Sequence, residues 1–306
     1  MAGCDWHDLE HPDRASLERA AGIPLHDRAV DIMLEPAEHD DEPRPTFEAH
    51  IDYIFGLLLL PRVDHETHEL WYQEIDLILR EQTVVTVRKS PPGRPLFDTD
   101  VVRDVSTKGA EAPGMIAYRL VDEVAEAFLD LVDTLDDHID DLEDHVEEWP
   151  SDRVRSRLSD LRHKLLHVRQ TLAPTRDAIR RVIDNRIDTE GVELFSRDLE
   201  LRFGDAFDKL LRASEGLDLA RDLVAGVRDY HQAKVANDQD EVMKRLAVIA
   251  TVFLPLAFLT GFWGQNFSYL VLHIETGRTA FWLLGIGVEL LAAAGLFALI
   301  KWRRWL

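Results

Sequence analysis

Two apolar runs near the C-terminus constrain this chain more than any other feature. From Leu246 to Trp263 it reads LAVIATVFLPLAFLTGFW, 18 residues without a charge. As a helix that run is about 27 Å long, close to the depth of a bilayer core. From Ala280 to Ile300 it reads AFWLLGIGVELLAAAGLFALI, 21 residues whose one charge is Glu289. Each run is long enough to span, so the sequence predicts a membrane protein with two C-terminal transmembrane helices. Pro255 removes a backbone donor from the first span, a loss that neighbouring helices or water repair in membranes. Glu289 is an intramembrane acid, and a central carboxylate costs about 2.5 to 3.5 kcal/mol on insertion scales, so it is expected to be neutral or paired.

Basic residues flank the outer ends of this hairpin: Lys244 and Arg245 before it, Lys301, Arg303 and Arg304 after it. The loop between the spans carries only Arg278. The positive-inside rule then predicts a multi-pass protein of the plasma or inner membrane with both termini cytoplasmic. Trp282, Trp302 and Trp305 suit the lipid interface. The N-terminus, MAGCDWHDLEHPDR, has neither the basic nor the apolar region of a signal peptide. Cys4 is the only cysteine in 306 residues, so no intramolecular disulfide is expected.

The formal charge, 35 bases minus 57 acids, is -22. An acidic surface argues against nucleic acid as a partner and favours metal cations. Residues 1–45 are polar and rich in Pro, Asp and His, and are expected to be partly disordered. Residues 46–113 hold β-rich runs, HIDYIFGLLLLP, ELWYQEIDLIL and QTVVTVRK, broken at Pro61, Pro91, Pro92 and Gly93. They predict a cytoplasmic α/β sheet domain.

Residues 114–194 change period. Val121, Ala125, Phe128, Val132, Leu135, Ile139, Leu142 and Val146 recur by fours and threes. After Trp149-Pro150-Ser151 a second seam follows, Val154, Leu158, Leu161, Leu165, Val168 and Leu172. This pattern is an antiparallel helical hairpin. Its first arm bears Asp136, Asp137, Asp140, Asp141, Glu143 and Asp144, its second Arg153, Arg155, Arg157, Arg162 and Lys164, so the two faces are expected to complement each other. A third helix, 195–245, runs on into the first span, 246–263. Unbroken, it would reach about 100 Å. Gly204, Gly216 and Gly226 each weaken it by about 1 kcal/mol.

The stretch NDQDEVMKRLAVIATVFLPLAFLTGFWGQNF, 237–267, resembles the membrane motif of the CorA family of divalent-cation transporters. In that family a Gly-Met-Asn tripeptide ends the first span and a basic run closes the chain, as KWRRWL does in 301–306. The likeness extends through LHVRQTLAPTRDAIRRVI and LRASEGLDLARDLVAGVRDY to roughly residues 47–306. It implies a funnel-shaped homopentamer of α+β class: α/β domain, helical hairpin, a stalk helix that becomes the pore helix, and an outer ring of second spans. The tripeptide departs from the pattern. It reads Gly264-Gln265-Asn266, at the head of an external loop, 264–279. The ZntB branch, linked to zinc, also varies the middle position.

The resemblance makes Gly264, Gln265 and Asn266 the selectivity filter. Amide and carbonyl oxygens at a pore mouth hold the water shell of a cation that dehydrates reluctantly, as Mg2+ does. With Asn266 facing the pore, helical spacing backward gives a lining of Gly261, Ala257, Leu254, Ala250, Leu246, Met243, Asp240, Ala236 and Asp229. Met243, Leu246 and Leu254 form apolar gates, and Asp240 and Asp229 form cation-gathering rings. In the family asparagine is commoner at position 240 and threonine at 257. Resemblance also marks Asp205, with Asp98 across an interface, as a regulatory metal site in which a dication relieves carboxylate repulsion.

The expected function is therefore Mg2+ influx, with Co2+ or Ni2+ as further cargo, by a homopentamer in lipid, driven by membrane potential and closed by cytoplasmic divalent ions. No enzyme activity is expected. Two rivals stand: a ZntB-like Zn2+ transporter coupled to protons, and a membrane-anchored coiled-coil scaffold that moves no ions. Cys4, His7 and His11 have zinc-compatible spacing in a tail, and His65-Glu66-Thr67-His68-Glu69 resembles a metalloprotease helix only superficially, its histidines being three apart.

Overall fold

The computed structural model describes residues 4–39, 41–64, 67–106, 112–184, 187, 194–265, 272–273, 277, 279 and 281–302. Two compact units divide at Arg228 and Asp229.

The first unit is built on a five-stranded sheet: β1 (Asp5–Glu10), β2 (Thr46–Ala49), β3 (Ile54–Val63), β4 (Leu70–Leu79) and β5 (Thr83–Lys89). Their order is β1-β5-β4-β3-β2, with β1 parallel to β5 and the other pairs antiparallel. β4 is buried along its whole length and β3 along all but its end, so both read as continuous apolar runs with no alternation. Pro61 does not break β3, contrary to the sequence reading. β2 pairs only with residues 54–57, so the missing N–H of Pro61 falls beyond the end of β2, where no partner is lost. Gly56 lets Phe47 close on the sheet, since a Cβ there would lie 2.7 Å from the ring.

Residues 1–45 require a correction. Far from an ill-ordered tail, they supply the edge strand β1 and two helices, α1 (Arg14–Ala21) and α2 (Asp27–Leu34). Every polar group of the strand's middle is matched. Trp6 Nε1 donates to Thr86 Oγ1 at 3.1 Å, and Asp8 accepts from Thr86 Oγ1 at 2.7 Å, Arg88 Nε at 3.0 Å and Thr99 Oγ1 at 3.1 Å. Composition sees only polar residues; pairing across 80 positions makes them a strand. Asp13 caps α1 with a reciprocal hydrogen bond to Ser16, and Gly22 closes it in the left-handed conformation.

After a short helix, α3 (Asp100–Ser106), come the two arms, α4 (Pro113–His145) and α5 (Ser151–Ile183). The predicted seam residues are buried in both. The arms' opposite charges, however, do not meet. Among the described residues the acids from Asp136 to Asp144 make no ion pair with Arg153, Arg155, Arg157, Arg162 or Lys164. Arg155 pairs with Asp152 and Lys164 with Asp160, each within α5, and Arg153 stacks over Trp149. A heptad seam turns the arms' charged residues outward to water, where neighbours one turn away are nearer than the other arm.

The third helix, α6, runs unbroken from Arg197 to Trp263, as expected. Gly216 does not weaken it but lets it approach α4: a Cβ there would stand 2.7 Å from Val132 Cγ1. Lys209 ties the two helices further, with its Nζ 2.7 Å from Asp122.

Candidate ion-conduction segment

In the second unit the sequence alternates between polar and greasy along one helix. From Asp229 to Asp240 α6 is charged, and from Leu246 onward it has no charge before its end at Trp263. Asp229, Ala236, Asp240, Met243, Leu246, Ala250, Leu254, Ala257 and Gly261 all lie on this unbroken helix, within about a third of its circumference at 100° per residue. The face they form is bare within the chain: Met243 is 66% exposed, Leu246 59% and Leu254 76%. No atom stands within 4 Å of where a Cβ would be at Gly261. The apolar part of α6 is the one helix among the described residues long and apolar enough to cross a membrane.

Pro255 lies inside α6 without interrupting it. Near it, hydroxyls cover backbone acceptors. Thr251 Oγ1 donates to the carbonyl of Ala247 at 2.7 Å, and Thr260 Oγ1 to those of Leu256 and Ala257 at 3.1 and 3.0 Å. The helix then closes. Gly264 N donates to Thr260 O at 3.0 Å and Gln265 N to Phe262 O at 3.2 Å. Gly264 and Gln265 thus sit at the end of the apolar segment, both exposed. Asn266 lies outside the described residues, as do Arg278, Arg303, Arg304 and Trp305. The indole Nε1 of Trp263, one residue before the tripeptide, is shielded from solvent and has no acceptor among the described residues, a feature the sequence reading passed over.

Where a second span was expected, a π-helical segment, Phe281–Gly287, leads directly into α7, Val288–Trp302. Glu289 is the second residue of α7 and is partly buried.

The acids Asp205 and Asp98 are not brought together within the chain. Asp205 is exposed on α6 in the first unit. Asp98 is exposed ahead of α3, where its Oδ1 accepts from Asp100 N at 3.0 Å. Nor do the histidine motifs assemble. Cys4 packs against the core, which pushes its thiol up, while His7 turns to Asp5 at 3.3 Å. His65 and Glu66 lie outside the described residues; His68 stands edge-on to His138. Among the described residues no three His, Cys, Asp or Glu side chains converge as a metal site.

One family accounts for nearly all of this. Residues 2–302 match the family described as CorA-like Mg2+ transporter protein. The chain belongs to the CorA family. It is 28% identical over 230 residues to the cobalt/magnesium transport protein CorA of Thermotoga maritima, a match taking in 74% of this chain and 64% of that protein. To the zinc transport protein ZntB of Yersinia enterocolitica it is 26% identical over 204 residues, 66% of this chain and 61% of that protein. The chain thus spans less than two thirds of either relative. Among solved structures, the CorA magnesium transporter of Methanocaldococcus jannaschii superposes with a TM-score of 0.80 over 98% of this chain and 91% of its own, at 17% identity. That likeness shares the fold: an α/β domain and a long helix whose apolar end is long enough to cross a membrane. These relatives are named for transport of cobalt and magnesium in the one case and of zinc in the other.

Proposed function

We propose that this CorA protein is a homopentameric channel in the plasma membrane that admits hydrated Mg2+ into the cell, with Co2+ and Ni2+ as further cargo. The observation that carries the reading is the unbroken helix α6, which joins an acidic segment, a bare stripe of small and apolar residues, and the Gly264-Gln265 turn in one element. Five such helices around an axis would put the Asn266 carboxamides and Gly264 carbonyls at the outer mouth. Uncharged oxygens there hold the ion's water shell without stripping it, and so release it again. Inside, Met243, Leu246 and Leu254 gate by dewetting, and the Asp240 and Asp229 rings draw the ion off. A dication crossing 100 mV, inside negative, gains about 4.6 kcal/mol, twice the single-charge value, so voltage suffices as the driving force. Divalent ions between Asp205 and Asp98 of adjacent copies hold the channel closed when internal cation is plentiful.

The test is flux: purified protein in liposomes under an imposed potential, with Mg2+, Co2+, Ni2+ and Zn2+ in turn. Asn266→Ala is expected to lose most flux at low cation concentration while still assembling. Equal flux from this variant and the parent would overturn the filter. A second reading, Zn2+ transport coupled to protons, is favoured by two observations: the ZntB relative and the glutamine at position 265, with Glu289 as the proton carrier. It predicts zinc uptake that follows a pH gradient and not the potential. A scaffold without a pore predicts no flux of any ion.

A further inference from the structure

The sheet of the first unit buries three charged side chains that the conduction reading does not use. Glu74 and Asp76 lie two apart on β4 and so on one face of the sheet; Lys89 on β5 is directly opposite Glu74. All three are inside: Asp76 is wholly inaccessible, and Glu74 and Lys89 nearly so. Lys89 Nζ contacts Glu74 and stands 2.9 Å from Asp76 Oδ2. Its aligned hydrogen bonds go elsewhere, to the carbonyl oxygens of Ile32 at 2.9 Å and Glu35 at 3.2 Å, which are the last turn and C-cap of α2. No donor is aligned on Glu74 Oε1 or on either oxygen of Asp76.

The charges do not cancel. Two carboxylates and one ammonium leave a net charge of -1 in a place closed to solvent, and a lysine has three N–H groups for four acceptors. Two buried carboxylates that must share one ammonium are relieved when one of them takes a proton. The field acts the same way. Burial, then Glu74, hold Asp76 well above the carboxylate range, and burial raises Glu74 too, with Glu35 at the end of α2 as the one further acid facing it. Burial alone would lower Lys89, but Asp76 and Glu74 outweigh it, so the ammonium stays charged. The two carboxyls face the same ammonium, that of Lys89.

We propose that one proton resides between Glu74 and Asp76 at neutral pH, and that its loss to solvent at higher pH loosens the docking of α2 on the sheet. Lys89 is the link. With the proton in place it divides its contacts between one carboxylate and the α2 carbonyls; without it two carboxylates compete for the ammonium, and the α2 carbonyls are released. The sign follows from linkage. A carboxyl whose folded-state affinity for a proton is raised stabilises the docked state most below its unfolded value, and that contribution falls as pH rises through the folded value.

Hydrogen exchange of the full-length protein in detergent, followed by mass spectrometry from pH 6 to 9.5 and corrected for the intrinsic rate, reads this directly. In the parent, protection of the α2 amides is expected to fall by up to tenfold per pH unit while the docked state still holds the proton, because opening then releases it, and to level off once the docked state has lost it. Asp76→Asn and Glu74→Gln each replace the shared proton with an amide and leave one carboxylate for Lys89, so α2 protection becomes flat with pH in both. If Asp76→Asn fails to fold, Glu74→Gln carries the same readout. Independently of any variant, the infrared spectrum of 13C-aspartate protein at pH 7 is expected to show a protonated-carboxyl stretch that vanishes on alkalinisation. A flat parent profile, a slope undiminished in the variants, a fall shared equally by α4, or absence of that stretch would each overturn the proposal.

Discussion

The two units solve opposite problems. Residues 1–228 bury their own apolar side chains: β3, β4 and the facing sides of α4 and α5 are closed to solvent within one chain. In residues 229–306 the apolar window of α6 has none of its residues buried within the chain, and Phe253, Leu254 and Phe258 stand open. A sequence can write either core with the same residue types. What differs is where the partner is: in the first unit on the same chain, in the second outside it. Substitutions of one chemistry should therefore act as stability changes in one unit and as changes of transport in the other.

The largest expected effect on folding is Phe128→Ala. Phe128 is fully buried in the α4 seam, and emptying that volume should cost about 3–5 kcal/mol of the cooperative unfolding of the first unit. Denaturant melts followed by circular dichroism check this. A loss under 1 kcal/mol would mean that the seam is not a packed core. Smaller, and sharper as a comparison, is a pair of glycines. Gly216→Ala sets a methyl against Val132 and should cost about 1–3 kcal/mol. Gly261→Ala meets nothing within the chain, so its melt should match the parent while cation flux falls. If both variants lose the same stability, the contrast between the units fails. Leu254→Ser is expected to leave the melt unchanged and to raise resting leak; an unchanged resting conductance would remove Leu254 from the gate.

How much was legible follows the same division. The strands β3, β4 and β5, the turn at Trp149-Pro150-Ser151 and the course of α6 were readable because burial on one chain leaves runs and periods in the sequence. β1 was not. Its Trp6 and Asp8 become strand residues only through Thr86, Arg88 and Thr99, far along the chain, and no local pattern carries that. The Glu74–Asp76–Lys89 cluster was missed for a related reason: QEID within β4 looks like a strand with one wet face, and only α2 lying over it makes that face dry. The charges of α4 and α5 misled in the other direction, complementary on paper yet turned to solvent. Of the candidate site, the stripe from Asp229 to Gly261 was legible as helical spacing, and α6 keeps those residues on one side. The acids Asp98 and Asp205 came by resemblance alone, with no spacing in the sequence that pairs them.

The central claim is that the bare face of α6 lines a path for hydrated dications. Uptake of Mg2+ into liposomes holding the purified protein, with a potassium gradient setting the voltage, tests it most directly. The account predicts uptake that rises as the interior is made more negative, reverses with the potential, and drops at low Mg2+ in Asn266→Ala. Liposomes that stay impermeable to Mg2+, Co2+, Ni2+ and Zn2+ at every voltage would contradict it.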